Sequence, residues 1–152
     1  MLPLDVGRDE IKFLVKTLRK VDYFTDLSAQ DLDGIFSYIS LYQYNSGSTI
    51  FKQGDAPDGL FIVYEGELKV TVKKSFFLPS KKLAELHAGD FFGEMALIDQ
   101  RPRSASVKAK SNVKLFVLLR SNFERIAAAN PHFAEKIKNV SSRRKFEIRE
   151  AA

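Results

Sequence analysis

The stretch Phe91–Val107, FFGEMALIDQRPRSASV, decides how the rest of the chain is read. Two aromatic residues lead into Gly93, and a carboxylate (Glu94) and a guanidinium (Arg103) then sit in a run otherwise suited to burial. Gly93 permits a sharp change of direction and a close approach of backbone to another group. Glu94 to Ile98 has the length of one helical turn, whose free N–H groups attract anions. Arg103, stiffened by Pro102, offers a forked pair of donors suited to phosphate, and Ser104 and the Ala105 N–H add two more. Glu94 would repel that phosphate, so its useful role is to accept a hydrogen bond from a neutral hydroxyl such as that of a ribose. The segment is either a sugar-phosphate site or an exposed turn carrying charged side chains. Spacing alone leaves both open.

Around this segment the hydrophobic period is about two. YNSGSTIFKQGDAPDGLFIVYEGELKVTV reads as strand, Asp-Ala-Pro-Asp-Gly turn, strand, Glu-Gly turn and strand. Leu83–Leu86 supplies another strand before the His87–Asp90 turn, and SASVKAKSNVKLFVLL two more, broken at Ser111-Asn112. Phe76 and Phe77, in VKKSFFLPSKK, are expected on a strand facing the core, with the lysines as a solvated loop. Both ends of the chain carry helical spacing instead. Ile11, Leu14, Val15 and Leu18 form one stripe. Ser28 is placed to cap a second helix bearing Leu32, Ile35, Phe36 and Ile39. After the last strand Ser121 is expected to cap NFERIAAAN, and Pro131 to start a run with Phe133, Ile137 and Val140. The expected organisation is a single domain over 1–152. Helices occupy 8–41, about eight short antiparallel strands 43–119, and further helices 121–149. Such strands close into a sandwich or roll.

Composition narrows the function. There are no cysteines, which removes disulfides, thiolate catalysis and sulfur-ligated zinc. His87 and His132 are far apart and cannot build the histidine-rich metal centre of a sugar-acting roll. No acid–base pair or activated nucleophile accompanies the quoted segment, so the chain is not expected to be an enzyme and needs no cofactor. No signal-length apolar run opens the chain and none reaches membrane-spanning length, which fits a cytoplasmic protein without a transmembrane segment. The formal charge of +5 favours weak attraction to nucleic acid or anionic lipid without specifying either.

The quoted segment resembles the phosphate-binding cassette of the cyclic nucleotide-binding domain family, found in protein kinase A regulatory subunits, nucleotide-gated channels and catabolite-activator-type regulators. The match runs through Phe92-Gly93-Glu94-Met95-Ala96-Leu97 and Pro102-Arg103-Ser104-Ala105-Ser106-Val107. LRKVDYFTDLSAQDLDGI, GSTIFKQGDAPDGLFIVYEGELKV, LHAGDFFGE and LFVLLRSNFERIAAANPHF resemble further blocks of the family in the same order, from about Leu18 to Val140. The resemblance implies a mainly β fold with flanking helices: a double-stranded β-helix or jelly-roll β-roll, an amino-terminal helical bundle, and carboxy-terminal hinge and lid helices. It implies that Glu94 holds the ribose 2′-hydroxyl, that Arg103 holds the cyclic phosphate, and that the Gly93–Ala96 stretch, Met95 included, donates backbone N–H groups, with Phe92 counted among the ligand-binding residues. Ser104 and the Ala105 backbone then lie against the phosphate.

Ile62, Val63, Leu68 and Leu86 are expected to wall the base. Family members favouring cGMP often carry threonine just after the arginine; Ser104 keeps the hydroxyl but is shorter, so cAMP is expected before cGMP. The expected role is a ligand-responsive regulatory module with a downstream protein partner. The alternative is an interaction domain that keeps the fold without the ligand. Too few residues follow the strands for a helix-turn-helix module, so no sequence-specific nucleic-acid reader is expected. Met1 favours a natural single-domain protein.

Overall fold

Leu60–Val63 and Leu115–Leu118 are uninterrupted runs of buried side chains. Strand residues alternate between faces, so such runs mean that both faces of their sheet are covered. The computed structural model describes residues 1–136 and 139, apart from 22, 23, 26, 76 and 98. In chain order the elements are β1 (Leu2–Leu4), α1 (Arg8–Leu18), α2 (Ala29–Phe36), β2 (Ile39–Tyr44), β3 (Thr49–Phe51), β4 (Gly59–Glu65), β5 (Leu68–Val72), β6 (Lys81–Leu86) and β7 (Phe91–Phe92). A 3-10 turn (Glu94–Leu97), β8 (Ser106–Ala109), β9 (Val113–Leu119) and α3 (Arg120–Ala129) follow. A further helical segment covers 131–136.

All strand pairs are antiparallel. One sheet has the order β1-β2-β9-β4-β7 and the other β3-β8-β5-β6. Between the sheets lie Phe61, Val63, Leu68, Phe92, Val107, Val113, Leu115 and Val117. On the outer face of the first sheet Leu60, Ile62, Phe116 and Leu118 meet Leu14, Leu18, Phe24, Leu32, Ile35, Phe123 and Phe133 from the helical layer. The first sheet is therefore the shared wall of two cores.

The helices start where local chemistry allows. The Glu10 carboxylate accepts the Gly7 N–H at 3.1 Å, ahead of α1. Ser28 Oγ accepts the Asp31 N–H at 3.1 Å, and the Asp31 carboxylate accepts the Ser28 N–H in return. The expected Ser28 cap is present. The expected Ser121 cap is not: α3 begins at Arg120 without a side-chain cap, and the Arg120 N–H instead donates to Asp58 O at 2.8 Å. Asn130 opens the next helical segment, its side-chain oxygen accepting the Phe133 N–H at 3.1 Å.

Three further readings of the sequence change. The second helix ends at Phe36, and Ile39 belongs to β2, where Ile39 and Leu41 point into the core by period-two alternation. Six consecutive pairs with β9 hold that strand, and they override the helical intervals that Ile39 keeps from Leu32, Ile35 and Phe36. Leu2–Leu4 adds an edge strand on β2, giving nine strands among the described residues. Phe77 is on no strand: it is 93% exposed in the turn between β5 and β6. Phe76, Ile137 and Val140, with the remainder of the expected last helix, lie outside the described residues.

Phe24 is fully buried and stacked on Phe133, with ring centroids 6.3 Å apart. Phe24→Ala should lower the unfolding free energy by about 3–5 kcal/mol. Phe77→Ala should stay within about 0.5 kcal/mol of the parent. Urea unfolding followed by circular dichroism compares them, and equal losses would contradict the assignment of the two rings.

Candidate functional site

The site is built where the β3–β4 loop, the 3-10 turn and the segment before β8 converge. Gly93 leaves β7 with φ +76°, a conformation that costs residues with a Cβ. It also has no room for one: a Cβ there would stand 2.7 Å from Arg103 Nη1 and 3.0 Å from Gly59 O. The chain then closes the 3-10 turn, with the Ala96 N–H donating to Gly93 O at 3.0 Å. Leu97 anchors the far end of this turn in the helical core.

Arg103 is fixed twice. Its backbone pairs with the β3–β4 loop: Arg103 N–H donates to Asp55 O and Gly54 N–H donates to Arg103 O, both at 2.8 Å. Its side chain, 6% exposed, runs inward beneath the same loop. Nη2 donates to Asp58 Oδ1 at 2.7 Å and to Gly59 O at 3.0 Å, while Nη1 reaches Gly93 O at 3.4 Å. The guanidinium carbon lies 4.0 Å from the centre of the Phe51 ring, within cation–π range. Nε is buried and has no hydrogen-bond partner among the described residues. A buried N–H left without an acceptor is costly, so it is a place where an acceptor from outside the chain would be stabilised.

A cavity of about 520 Å³ opens over this arginine. Phe51, Val70, Phe92 and Val107 form its apolar side; Glu94, Arg103 and Ser104 its polar side. A mostly apolar pocket with a few placed polar groups is the usual form of a small-molecule site. Gly93, Ala96 and Ala105 also line it, and Met95 sits on the 3-10 turn between two lining residues. The cassette residues expected from the sequence are thus brought together around one cavity. Arg101 lies at its edge, exposed and hydrogen-bonded through Nε to Asp99 at 2.7 Å. That hydrogen bond, and then the charge of Asp99, push the Arg101 pKa further up.

The expected base wall is not part of the cavity. Ile62 alternates with Phe61 on β4 and so faces the helical layer, in the other core. Val63 and Leu68 are fully buried between the sheets, and Leu86 packs there beside them. None of the four lines the cavity. Val70, two residues beyond Leu68 on the same face of β5, and Val107, its partner on β8, take that place. Alternation from Leu68 could have found Val70. Phe51, at the end of β3, and Asp58, in the β3–β4 loop, carried no local signal, because Arg103 lies 45 or more positions away in the chain. No group of three or more His, Cys, Asp or Glu that could hold a metal ion occurs among the described residues.

A two-sheet antiparallel roll with a cavity framed by a glycine turn and a buried arginine has the form of a small-molecule site that carries a buried cation. The comparisons make the class specific. A model of the cyclic nucleotide-binding domain family matches residues 41–130, more than half of the chain, and the chain belongs to that family. It is 34% identical over 140 residues to the cGMP-dependent protein kinase, isozyme 1, of Drosophila melanogaster, covering 91% of this chain and 18% of that protein. It is 36% identical over 109 residues to a cAMP-dependent protein kinase regulatory subunit of Aspergillus fumigatus, covering 72% and 25%. The crystal structure of a cyclic nucleotide-binding domain from Methylobacillus flagellatus superimposes with a TM-score of 0.77 at 25% identity, covering 98% of this chain and 84% of that one. The chain therefore spans about a fifth to a quarter of the length of these two kinase-related proteins. Among the described residues no helix is long and apolar enough to cross a membrane.

Gly93→Ala should be damaging on two counts, the positive φ and the clash with the Arg103 guanidinium. A loss of about 1–3 kcal/mol in unfolding free energy is expected. Gly47→Ala also meets a positive φ but has open space around its Cβ, so it isolates the backbone cost from the clash. Equal losses in chemical denaturation would remove the argument from the arginine contact.

Proposed function

We propose that this chain binds a 3′,5′-cyclic purine mononucleotide in the cavity over Arg103 and serves as a ligand-responsive regulatory module. The observation that carries this is the buried Arg103 guanidinium at the cavity, with Nε lacking an acceptor among the described residues. A cyclic phosphate supplies oxygens to that group and to the N–H groups of the turn after Gly93. Glu94 accepts the ribose 2′-hydroxyl, and Ser104 and the Ala105 N–H complete the phosphate contacts. Phe51, Val70 and Val107 offer an apolar surface to the rest of the ligand. The absence of an acid–base pair in this scheme makes the module a sensor rather than a hydrolase.

We assign cAMP as the preferred ligand, on the shorter side chain of Ser104 where cGMP-selective relatives often carry threonine. The segment from Pro131 to about Arg149, most of which lies outside the described residues, is the lid in this reading and transmits binding to a downstream protein. A fold kept without its ligand is the second reading, and the Asp58–Arg103 pair at 2.7 Å favours it, since the guanidinium already has a carboxylate partner.

Isothermal titration with cAMP separates the two readings, and saturable binding is expected. Arg103→Leu should then weaken binding about ten- to a hundred-fold, the loss of a charged hydrogen-bonded contact. Arg101→Leu should not, because Arg101 is exposed and paired with Asp99. Equal tolerance of the two substitutions would refute the phosphate assignment. Glu94→Gln should cost more with cAMP than with its 2′-deoxy analogue, and a competition titration in which cGMP wins would reverse the ligand preference.

A further inference from the structure

The β5–β6 hairpin carries features that the nucleotide cavity does not use. Between Glu67 and Glu85 the chain has five lysines and no acidic residue. In the middle of this basic stretch Phe77 is 93% and Leu78 54% exposed, and Leu83 on the edge strand β6 is 56% exposed. Exposed large apolar side chains within a basic stretch mark a candidate interaction surface.

The hairpin is held at its root. Gln53, in the β3–β4 loop, donates through Nε2 to Lys73 O at 3.0 Å and accepts the Lys73 N–H at 2.8 Å, in the manner of a strand pair. At the tip the Leu78 N–H donates to Ser75 O at 3.2 Å, closing a turn, and Pro79 follows. Beside the tip, Lys52, Lys73, Lys74, Ser75 and Ser80 surround a shallow depression of about 490 Å³. Two carboxylates flank the basic stretch: Asp55 accepts the Lys52 N–H at 2.9 Å beside the depression, and Glu85 stands near the end of β6. Hydrogen bonds from Lys110 and then Lys82 hold the Glu85 carboxyl down at about 2, so its negative charge stays at the foot of the hairpin.

We infer that this hairpin docks on an anionic membrane surface, with Phe77 and Leu78 entering the headgroup region and the surrounding lysines meeting lipid phosphates and carboxylates. The chemistry selects this occupant over others. Lysine is depleted in protein–protein contacts, whereas lysines beside an exposed aromatic and a leucine suit a bilayer interface. Single-stranded nucleic acid needs a row of stacking rings along a groove, and Leu78 and Leu83 offer no ring to a base. Docking through this hairpin rests on none of the assignments made for the cavity.

Sedimentation with vesicles of phosphatidylcholine, with and without phosphatidylserine in about equal amount, tests it. The chain is expected to pellet only with the mixed vesicles and to be released by salt, because the attraction is screened. Phe77→Ala with Leu78→Ala should lower the partition coefficient about tenfold, and Lys73→Glu with Lys74→Glu should abolish pelleting. All four positions are exposed, so thermal unfolding should match the parent. The chain has no tryptophan, so Phe77→Trp introduces a sole indole, which can be excited at wavelengths the tyrosines do not absorb and whose emission should shift to the blue on mixed vesicles. Equal pelleting with phosphatidylcholine alone, an unchanged partition for the alanine pair, or no emission shift would each overturn the inference. Binding to single-stranded DNA with the vesicles ignored would overturn it in favour of a nucleic-acid surface.

Discussion

A guanidinium withdrawn from water is expensive unless its N–H groups and its charge are met, and Arg103 is withdrawn almost completely. Much of the architecture near it can be understood as meeting that demand. Gly54 and Asp55 hold its backbone, Asp58 and Gly59 its outer nitrogen, Gly93 its other nitrogen, and Phe51 covers its face. The β3–β4 region and the Gly93–Arg103 segment, far apart in sequence, are thereby drawn to one point. The Asp58 carboxylate is largely exposed, so its attraction is screened by water, and the two carbonyls supply directed partners without a full charge. The result is a cation that is buried and partnered on one side, with Nε still short of an acceptor among the described residues.

This arrangement needs a rigid frame, and the frame is the sheet covered on both faces. β4 sends Leu60 and Ile62 into the helical core and Phe61 and Val63 into the inter-sheet core. β9, its neighbour, does the same with Phe116 and Leu118 on one side and Leu115 and Val117 on the other. Gly59 stands at the start of β4 because a Cβ there would lie 2.5 Å from Leu118 O. That close approach brings the Gly59 carbonyl to Arg103. Packing of the central strands and satisfaction of the buried arginine are consequently one problem, solved at the same residues.

The sequence is informative where structure is local and less so where the chain returns from a distance. Gly93, Glu94 and Arg103 lie within one short segment, and both the turn and its chemistry could be read there. The alternation of β4 and β9 could also be read, but two covered faces turn alternation into a continuous apolar run. That is why Ile62 and Val63 looked equally fit to face a ligand. Ile39 kept a helical interval from Ile35 while its backbone bonds went to β9. Phe77 was expected inside because phenylalanine usually is; its exposure depends on where the β5–β6 turn closes, which no periodicity encodes. Asp58, in the β3–β4 loop, and Phe51, at the end of β3, reach Arg103 only through the tertiary fold and leave no trace around it in the sequence.

The 3-10 turn after Gly93 belongs to both halves of the molecule. Its first residues line the cavity, while Leu97, 3% exposed, is packed into the helical core with Phe24, Phe123 and Phe133. A second tie runs from Arg120 Nη1, at the start of α3, to Asp99 O at 3.1 Å. Packed interiors have little free volume, so a shift of Leu97 is felt by the core it belongs to. A group that pulled the turn toward Arg103 would therefore act on α3 and on the helical segment bearing Phe133 through contacts already in place. Coupling of this kind needs no long pathway, because one short turn is a wall of the cavity and part of the helical core at once.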